Sequence, residues 1–333
     1  MKVLITIIGA ILFFAPIIKA QSFAQINILA SGLSSIADAN ITGDYVIVRY
    51  GSQPDQLSLL NTATNTWVFS DSLLGSSFTF VTPTYYISGG TLYGARFISS
   101  YYISKYIISS STNSLYSLSY SSPSSNAAIN QTTGIVYQGE NTNHLVVFNI
   151  ANAAITTYIT VGTSPVSIGI DETTNIIYVA NSGSNTISVI DGLTNTVTST
   201  ITVGNTPNKV IVNPSTNMIY ALNSGDNTIS IIDGSTNTVS ATKSLTNTAS
   251  NLFTDSTNNR LYVTNNTNNN VDVYTISGST ATLTGSIAIT SPTSAMVNSL
   301  GHVYITSDGH VYEYIIYSPA SNCIADAGTF EQE

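Results

Sequence analysis

Side chains able to do metal or proton chemistry are few in this chain, and their spacing does not bring them together. The three histidines, His144, His302 and His310, fall in no ligand pattern of the H-E-x-x-H kind. His302 and His310 flank one short apolar run, where turn and strand-edge roles suffice, and a metal site needs three or four ligands. No C-x-x-C-H stretch is present to attach a haem, and the lone Cys323 excludes an internal disulfide. Glu140, Glu172 and Glu313 are the carboxylates an acid–base site would draw on, but they are dispersed along the chain. Asp191 and Asp233 recur in Ile190-Asp191-Gly192 and Ile232-Asp233-Gly234. They read either as calcium ligands or as Asx turns whose carboxylates accept backbone N–H groups, and recurrence at a turn favours the second. The expectation is therefore no catalytic group, no metal and no cofactor.

Charged residues make up 8% of the chain, with 8 basic against 17 acidic; ordinary globular proteins carry roughly 25%. A net charge of −9 without clustered Lys or Arg argues against nucleic acid as a partner, because phosphate neutralisation needs such clusters. With polar surface supplied by Asn, Thr, Ser and Tyr, few native contacts titrate. This reads either as adaptation to an acidic exterior or as a by-product of expanding Asn- and Thr-rich repeats, and only the first predicts a fold that withstands acid.

The elements that position these residues repeat. Tyr178, Tyr220, Tyr262 and Tyr304 follow one another at steps of 42 residues, a period that marks repeated supersecondary units. In one unit Val166, Ile168 and Ile170 alternate with Ser167 and Gly169, a period-2 strand whose small residues suit a narrow axis. Ile176 to Ala180 is continuously apolar, as in a strand covered on both faces. Thr186 to Ile190 follows the Gly- and Asn-containing loop 181–185, and Thr196 to Val203 alternates β-branched residues as a half-exposed outer strand. Helical periodicity is absent.

Tyr178-Val179-Ala180-Asn181, Tyr220-Ala221-Leu222-Asn223 and Tyr262-Val263-Thr264-Asn265, the first two followed by Ile-Ser-Val-Ile-Asp and Ile-Ser-Ile-Ile-Asp, resemble the YVTN family of β-propeller repeats. The likeness is close from Pro165 to Asn266 and degenerate elsewhere. It implies an extracellular or periplasmic propeller at the cell surface, without an assigned enzymatic activity. Weaker copies place further anchors at Tyr45, Tyr93 and Tyr137, giving seven units. The residue three positions after each anchor, at one rim of such a ring, is Val48, Arg96, Glu140, Asn181, Asn223, Asn265 or Ser307. Arg96, Glu140, Asn181, Asn223 and Asn265 are thus the candidate ligand-binding positions. Alternatively the asparagines cap their own loops, and Arg96 with Glu140 forms a rim ion pair.

The expected fold is all-β: a seven-bladed β-propeller of four-stranded antiparallel blades spanning residues 26–317. An orphan strand at Ile26 to Ala30 completes the last blade, which lacks an outer strand of its own, and so removes the exposed edge. An open solenoid would leave both unpaired. Residues 1–20 read as a signal peptide, with cleavage after Ala20 or after Ala24, or else as a retained anchor; 318–333 form a tail. Sequons at Asn40, Asn130 and Asn265 are candidate N-glycosylation sites. The reading is of an exported module, secreted or at the cell surface, with no transmembrane span in the mature chain. It would bind protein or glycan through one propeller face, as a monomeric ring or in a surface array. The alternative is a lactonase-type hydrolase with a metal or acid/base site at the channel mouth.

Overall fold

The computed structural model describes the backbone of strands from Ser22 to Tyr317, the connections over 131–140, 142–150 and 161–297, and side chains over 127–140, 142–150, 154–297 and 302–307 together with Tyr312 and Tyr314. Residues 1–20, the expected signal peptide, and 318–333 lie outside the described residues. Regular structure among the described residues is all strand, and no helix there is long and apolar enough to cross a membrane.

Strands associate by fours into antiparallel sheets, each from consecutive segments: Ile36 to Ser72, Thr84 to Leu118, Pro123 to Thr160, Pro165 to Thr202, Pro207 to Ser244 and Asn251 to Ala288. One further sheet runs Ser22–Ala30, His310–Tyr317, Val303–Ser307, Pro292–Val297 in spatial order. The N-terminal strand therefore pairs antiparallel with His310–Tyr317, and it begins four residues earlier than expected, with Ser22 opposite Tyr317. Cleavage after Ala20 would spare this strand, whereas cleavage after Ala24 would remove its first three pairs.

The anchor tyrosines explain how sheets stack. Tyr178, with Ala180, Ile187 and Val189, packs against Val210, Val212, Ile219 and Ala221 of the following sheet. Tyr137 meets Ile177, Val179 and Ile190 in the same way, Tyr220 meets Leu252, Leu261 and Val263, and Tyr262 meets Ala295, Val303 and Ile305. Each core is thus shared between neighbours. Burying such side chains stabilises by about 1.5–3 kcal/mol apiece, and a sheet standing alone would forfeit that on both faces.

The first strand of each unit departs from expectation. Ser167 and Gly169 do not face an axis; they face the next sheet, where Ser167 Oγ accepts the Val210 amide (3.1 Å) and a Cβ on Gly169 would lie 3.1 Å from the Val210 carbonyl oxygen. Ile168 and Ile170 pack toward the preceding sheet. Small residues are needed because two first strands approach closely there, backbone to backbone.

The hairpins share one turn. Asp171–Asn175, Asn181–Asn185, Asp191–Asn195 and their counterparts follow an Asp/Asn-x-x-x-Asn pattern whose last residue has φ near +55°, for example 56° at Asn175, 57° at Asn185 and 54° at Asn195. Asn tolerates this left-handed conformation better than most residues. The opening carboxylate accepts the following amides: Leu193 and Thr194 donate to Asp191 Oδ1 (2.7 and 3.2 Å), and Ser235 to Asp233 Oδ1 (2.8 Å). Asp191 and Asp233 are Asx-turn residues.

Fourth strands carry a recurrent bulge. Pairing skips Thr156, Thr198, Ser240 and Thr284 at equivalent places, a device that twists an edge away from further pairing. The hydroxyls of three of these return a hydrogen bond to the third strand: Thr198 to the Val189 carbonyl (3.2 Å), Ser240 to Ile231 (3.0 Å) and Thr284 to Val273 (3.2 Å). Replacing Thr198 by Val keeps the shape and removes the donor. The expected cost is about 1 kcal/mol, read as a melting shift of roughly 2–4 °C for a domain of this size. An unchanged melting temperature in Thr198→Val would show that the hydroxyl contributes nothing.

Candidate functional site

The rim carrying the hairpins between second and third strands is where the candidate positions gather. Asn181, Asn223 and Asn265 all close their second strands, and all are 0% exposed. Asn181 Nδ2 donates to Ser188 Oγ (3.0 Å) and Thr186 Oγ1 (3.2 Å); Asn223 Nδ2 donates to Ser230 Oγ (2.9 Å) and Thr228 Oγ1 (3.0 Å). Asn265 Nδ2 reaches Asp272 Oδ2 (3.0 Å). These amides brace their own hairpins, and their fully enclosed side chains present nothing to a molecule approaching the rim.

Glu140 occupies the equivalent place in its sheet, opposite Pro123. It is half-buried, and burial pushes its carboxyl above the usual range, with nearby His144 acting against that rise. The backbone of Arg96 lies at the same register, opposite Tyr102, while its side chain, and so the expected pair with Glu140, lies outside the described residues. Ser307 holds the position in the last sheet, opposite Pro292. Val48 does not hold it in the first. Tyr45 pairs with Asn61, as Ile176 pairs with Asp191, so Ile47 stands where the anchor was expected and Tyr50 at the rim.

Residues that the anchor pattern did not single out organise this rim. The left-handed Asn185, four residues after Asn181, accepts the Thr206 amide (2.9 Å) from the segment leading into the next sheet, and donates to Asn205 Oδ1 (3.1 Å). Asn227 accepts the Ala249 amide (3.4 Å) and Asn269 the Ser291 amide (2.9 Å) in the same manner. Each hairpin also grips the segment leading into its own sheet: Ser182 and Ser224 amides donate to Ser164 and Thr206 carbonyls (2.9 and 3.1 Å). Asp226 clamps Asn205 through both carboxylate oxygens (2.6 and 2.8 Å). The result is a chain of amide and hydroxyl bonds passing from sheet to sheet. Its sequence signal was the Asn-x-x-x-Asn spacing.

Close approach leaves no room for a side chain at Gly204. A Cβ on Gly204 would sit 2.7 Å from Asn223 Nδ2 and 2.8 Å from Asp226 Oδ2. Gly204→Ala is therefore expected to destabilise by about 1–3 kcal/mol, as overpacking does, and Asn223→Ala in the same chain should recover part of that loss. A double-mutant cycle on thermal melts measures the coupling; strict additivity would show that the two side chains do not collide.

The opposite ends of the sheets are laced by amides as well. Asn130 Nδ2 donates to Asn175 Oδ1 (2.8 Å) and Asn213 Nδ2 to Asn259 Oδ1 (3.2 Å), each pair joining neighbouring sheets. Glu172 accepts the Gln131 amide (2.8 Å) across the same boundary, and burial raises its pKa. The sequon residue Asn130 is 0% exposed and its Oδ1 accepts the Thr132 and Thr133 amides (2.9 and 3.1 Å). A glycan on Asn130 or on Asn265 would have to displace such bonds. Asn40 lies within Ile36–Thr42, its side chain outside the described residues. His144 Nδ1 stands 3.4 Å from Thr142 Oγ1; the side chains of His310 and Glu313, and Cys323 altogether, lie outside the described residues.

Among the described residues no three His, Cys, Asp or Glu side chains gather in one place. What the rims offer is largely hydroxyl and amide hydrogen-bonding surface, with Thr163, Ser184, Asn205, Ser224, Asn266 and Thr267 exposed, interrupted by the carboxylates of Glu140, Glu172 and Asp226. No protein-family model matches the chain, and no curated protein matches it.

Proposed function

We propose that the chain is an exported seven-bladed β-propeller of YVTN-like repeats, acting without catalysis as a binding or scaffold module at the cell surface. The observation that carries this reading is the stacking of consecutive four-stranded sheets through shared cores. The strand Ile36–Thr42 lies against both Thr84–Ser88 and Pro292–Val297, the neighbours it would have in a ring. Pairing of Ser22–Ala30 with His310–Tyr317 supports closure by the same logic. An outer surface of amides and hydroxyls, tied into the scaffold by the rim network, suits a polar partner such as protein or glycan.

The test is a glycan array together with a pull-down from cell envelopes, both using the mature chain. Saturable binding of one glycan class or one envelope protein supports the module. Hydrolysis of a lactone panel by the purified chain, abolished by chelation, would overturn the non-catalytic reading in favour of a hydrolase.

A further inference from the structure

One repeat places a charge at a buried position that two of its neighbours fill with serine. Where Ser188 and Ser230 receive the amides of Asn181 and Asn223, the Tyr262 sheet places a carboxylate, Asp272, 4% exposed. Its hydrogen bonds come from neutral amides alone: Asn265 Nδ2 and Asn247 Nδ2 on Oδ2 (3.0 and 3.2 Å), and Asn270 Nδ2 on Oδ1 (2.7 Å). Asn270 Nδ2 also touches Ser286 Oγ (2.7 Å). A buried carboxylate held only by neutral groups keeps its full desolvation cost uncompensated by charge. The same amides can turn about their last side-chain bond, exchanging nitrogen for oxygen at almost no change of shape. For Asn265 and Asn270 the turn sacrifices no acceptor contact, because Oδ1 of each is buried and accepts no hydrogen bond, though Asn265 gives up its donation to the Val263 carbonyl (3.3 Å).

We propose that Asp272, Asn265, Asn270, Asn247 and Ser286 form a site for a hard, oxygen-seeking cation, with calcium the ion best suited to its donors. Turning the amides would bring up to three amide oxygens against the two carboxylate oxygens of Asp272, with Ser286 Oγ alongside Asn270. Calcium takes six to eight such oxygens in flexible geometry, whereas magnesium demands a near-ideal octahedron. A single carboxylate limits affinity to the weak range of about 10⁻⁴–10⁻³ M found in extracellular modules. Ser286 is exposed and Asn247 and Asn270 are partly so, leaving a route for the ion from solvent. Asp272 is also the carboxylate nearest in sequence to the buried Tyr274, and its charge is felt there, so the ring is placed to report an ion bound at Asp272.

The decisive variant is Asp272→Ser, which installs the residue that the Tyr178 and Tyr220 sheets already use and so retains a fold-competent pattern. Full-length chelator-treated protein is titrated with calcium chloride, sodium chloride or choline chloride while its melting temperature is followed, and in parallel with terbium under tyrosine excitation. Millimolar calcium is expected to raise the melting temperature by several degrees and to displace terbium. Both effects should be absent from Asp272→Ser. A sodium response lost in the variant would support the same site with a monovalent occupant. A response equal in the two proteins, or none beyond that of choline, would overturn the proposal.

Discussion

Above pH 10 the protein is expected to unfold in one steep transition. Burial pushes the hydroxyls of Tyr137, Tyr178, Tyr220, Tyr274 and Tyr314 up to about 12, with the carboxylates of Asp191, Asp171 and Asp272 adding to the rise at the first, second and fourth of these; Tyr262 is raised as well. A folded pKa above the unfolded value means stability that is complete below pH 10 and lost as pH climbs toward 12. Each group forfeits at most about 1.4 kcal/mol per pH unit in that window. Partial solvent screening of these hydroxyls keeps each below that ceiling, but all of them lose stability in the same pH window. Tyrosinate absorbance and circular dichroism should therefore change together. Titration of these tyrosines near pH 10 with the sheets intact would mean that the anchors are not enclosed. The same sign holds for two carboxyls on the acid side. Glu140 and Glu172, whose pKa values are raised by burial, contribute stability that is present below their ordinary range and lost as pH rises through it, so protonation of these two does not weaken the fold.

Removing Ser22–Ala30 should abolish cooperative melting and produce aggregation. Without it the strand His310–Tyr317, reading HVYEYIIY, becomes a sheet edge. That segment is rich in β-formers and carries little charge, the composition that templates intermolecular pairing. The loss also leaves the last sheet with three strands, its edge no longer covered by the chain's own N-terminal segment. Differential scanning calorimetry and light scattering on chains beginning at Gln21, Gln25 and Ser31 check this directly. The first should melt cooperatively, the second at lower temperature because three cross-strand pairs are gone, and the third should aggregate. A chain beginning at Ser31 that melts like the one beginning at Gln21 would show that the strand is dispensable.

Strand content, the 42-residue period, the buried second strand, the Asx turns and the pairing of the chain's two ends were all legible in the amino-acid sequence. They follow from local chemistry: apolar runs, β-branched alternation and Asp-Gly or Asn at positions requiring turns. Three matters were decided only in three dimensions. Alternation of Ser167 and Gly169 with Ile168 and Ile170 shows that two faces differ, but what each face meets depends on the approach of the next sheet. Tyr45 read as an anchor although Ile47 fills the place, since a slip of two residues keeps every side chain on its face and leaves the hydrophobic pattern unchanged; only cross-strand pairing distinguishes the registers. For Asn181, Asn223 and Asn265 two readings stood open, rim ligands or caps of their own loops, because sequence places a residue along a strand without saying what will cover it. The incoming segments with Gly162 and Gly204 lie directly over the first two, and the fold turns these asparagines inward as braces. The same enclosure leaves Asp272 among neutral amides, a consequence of tertiary packing that no local pattern contains.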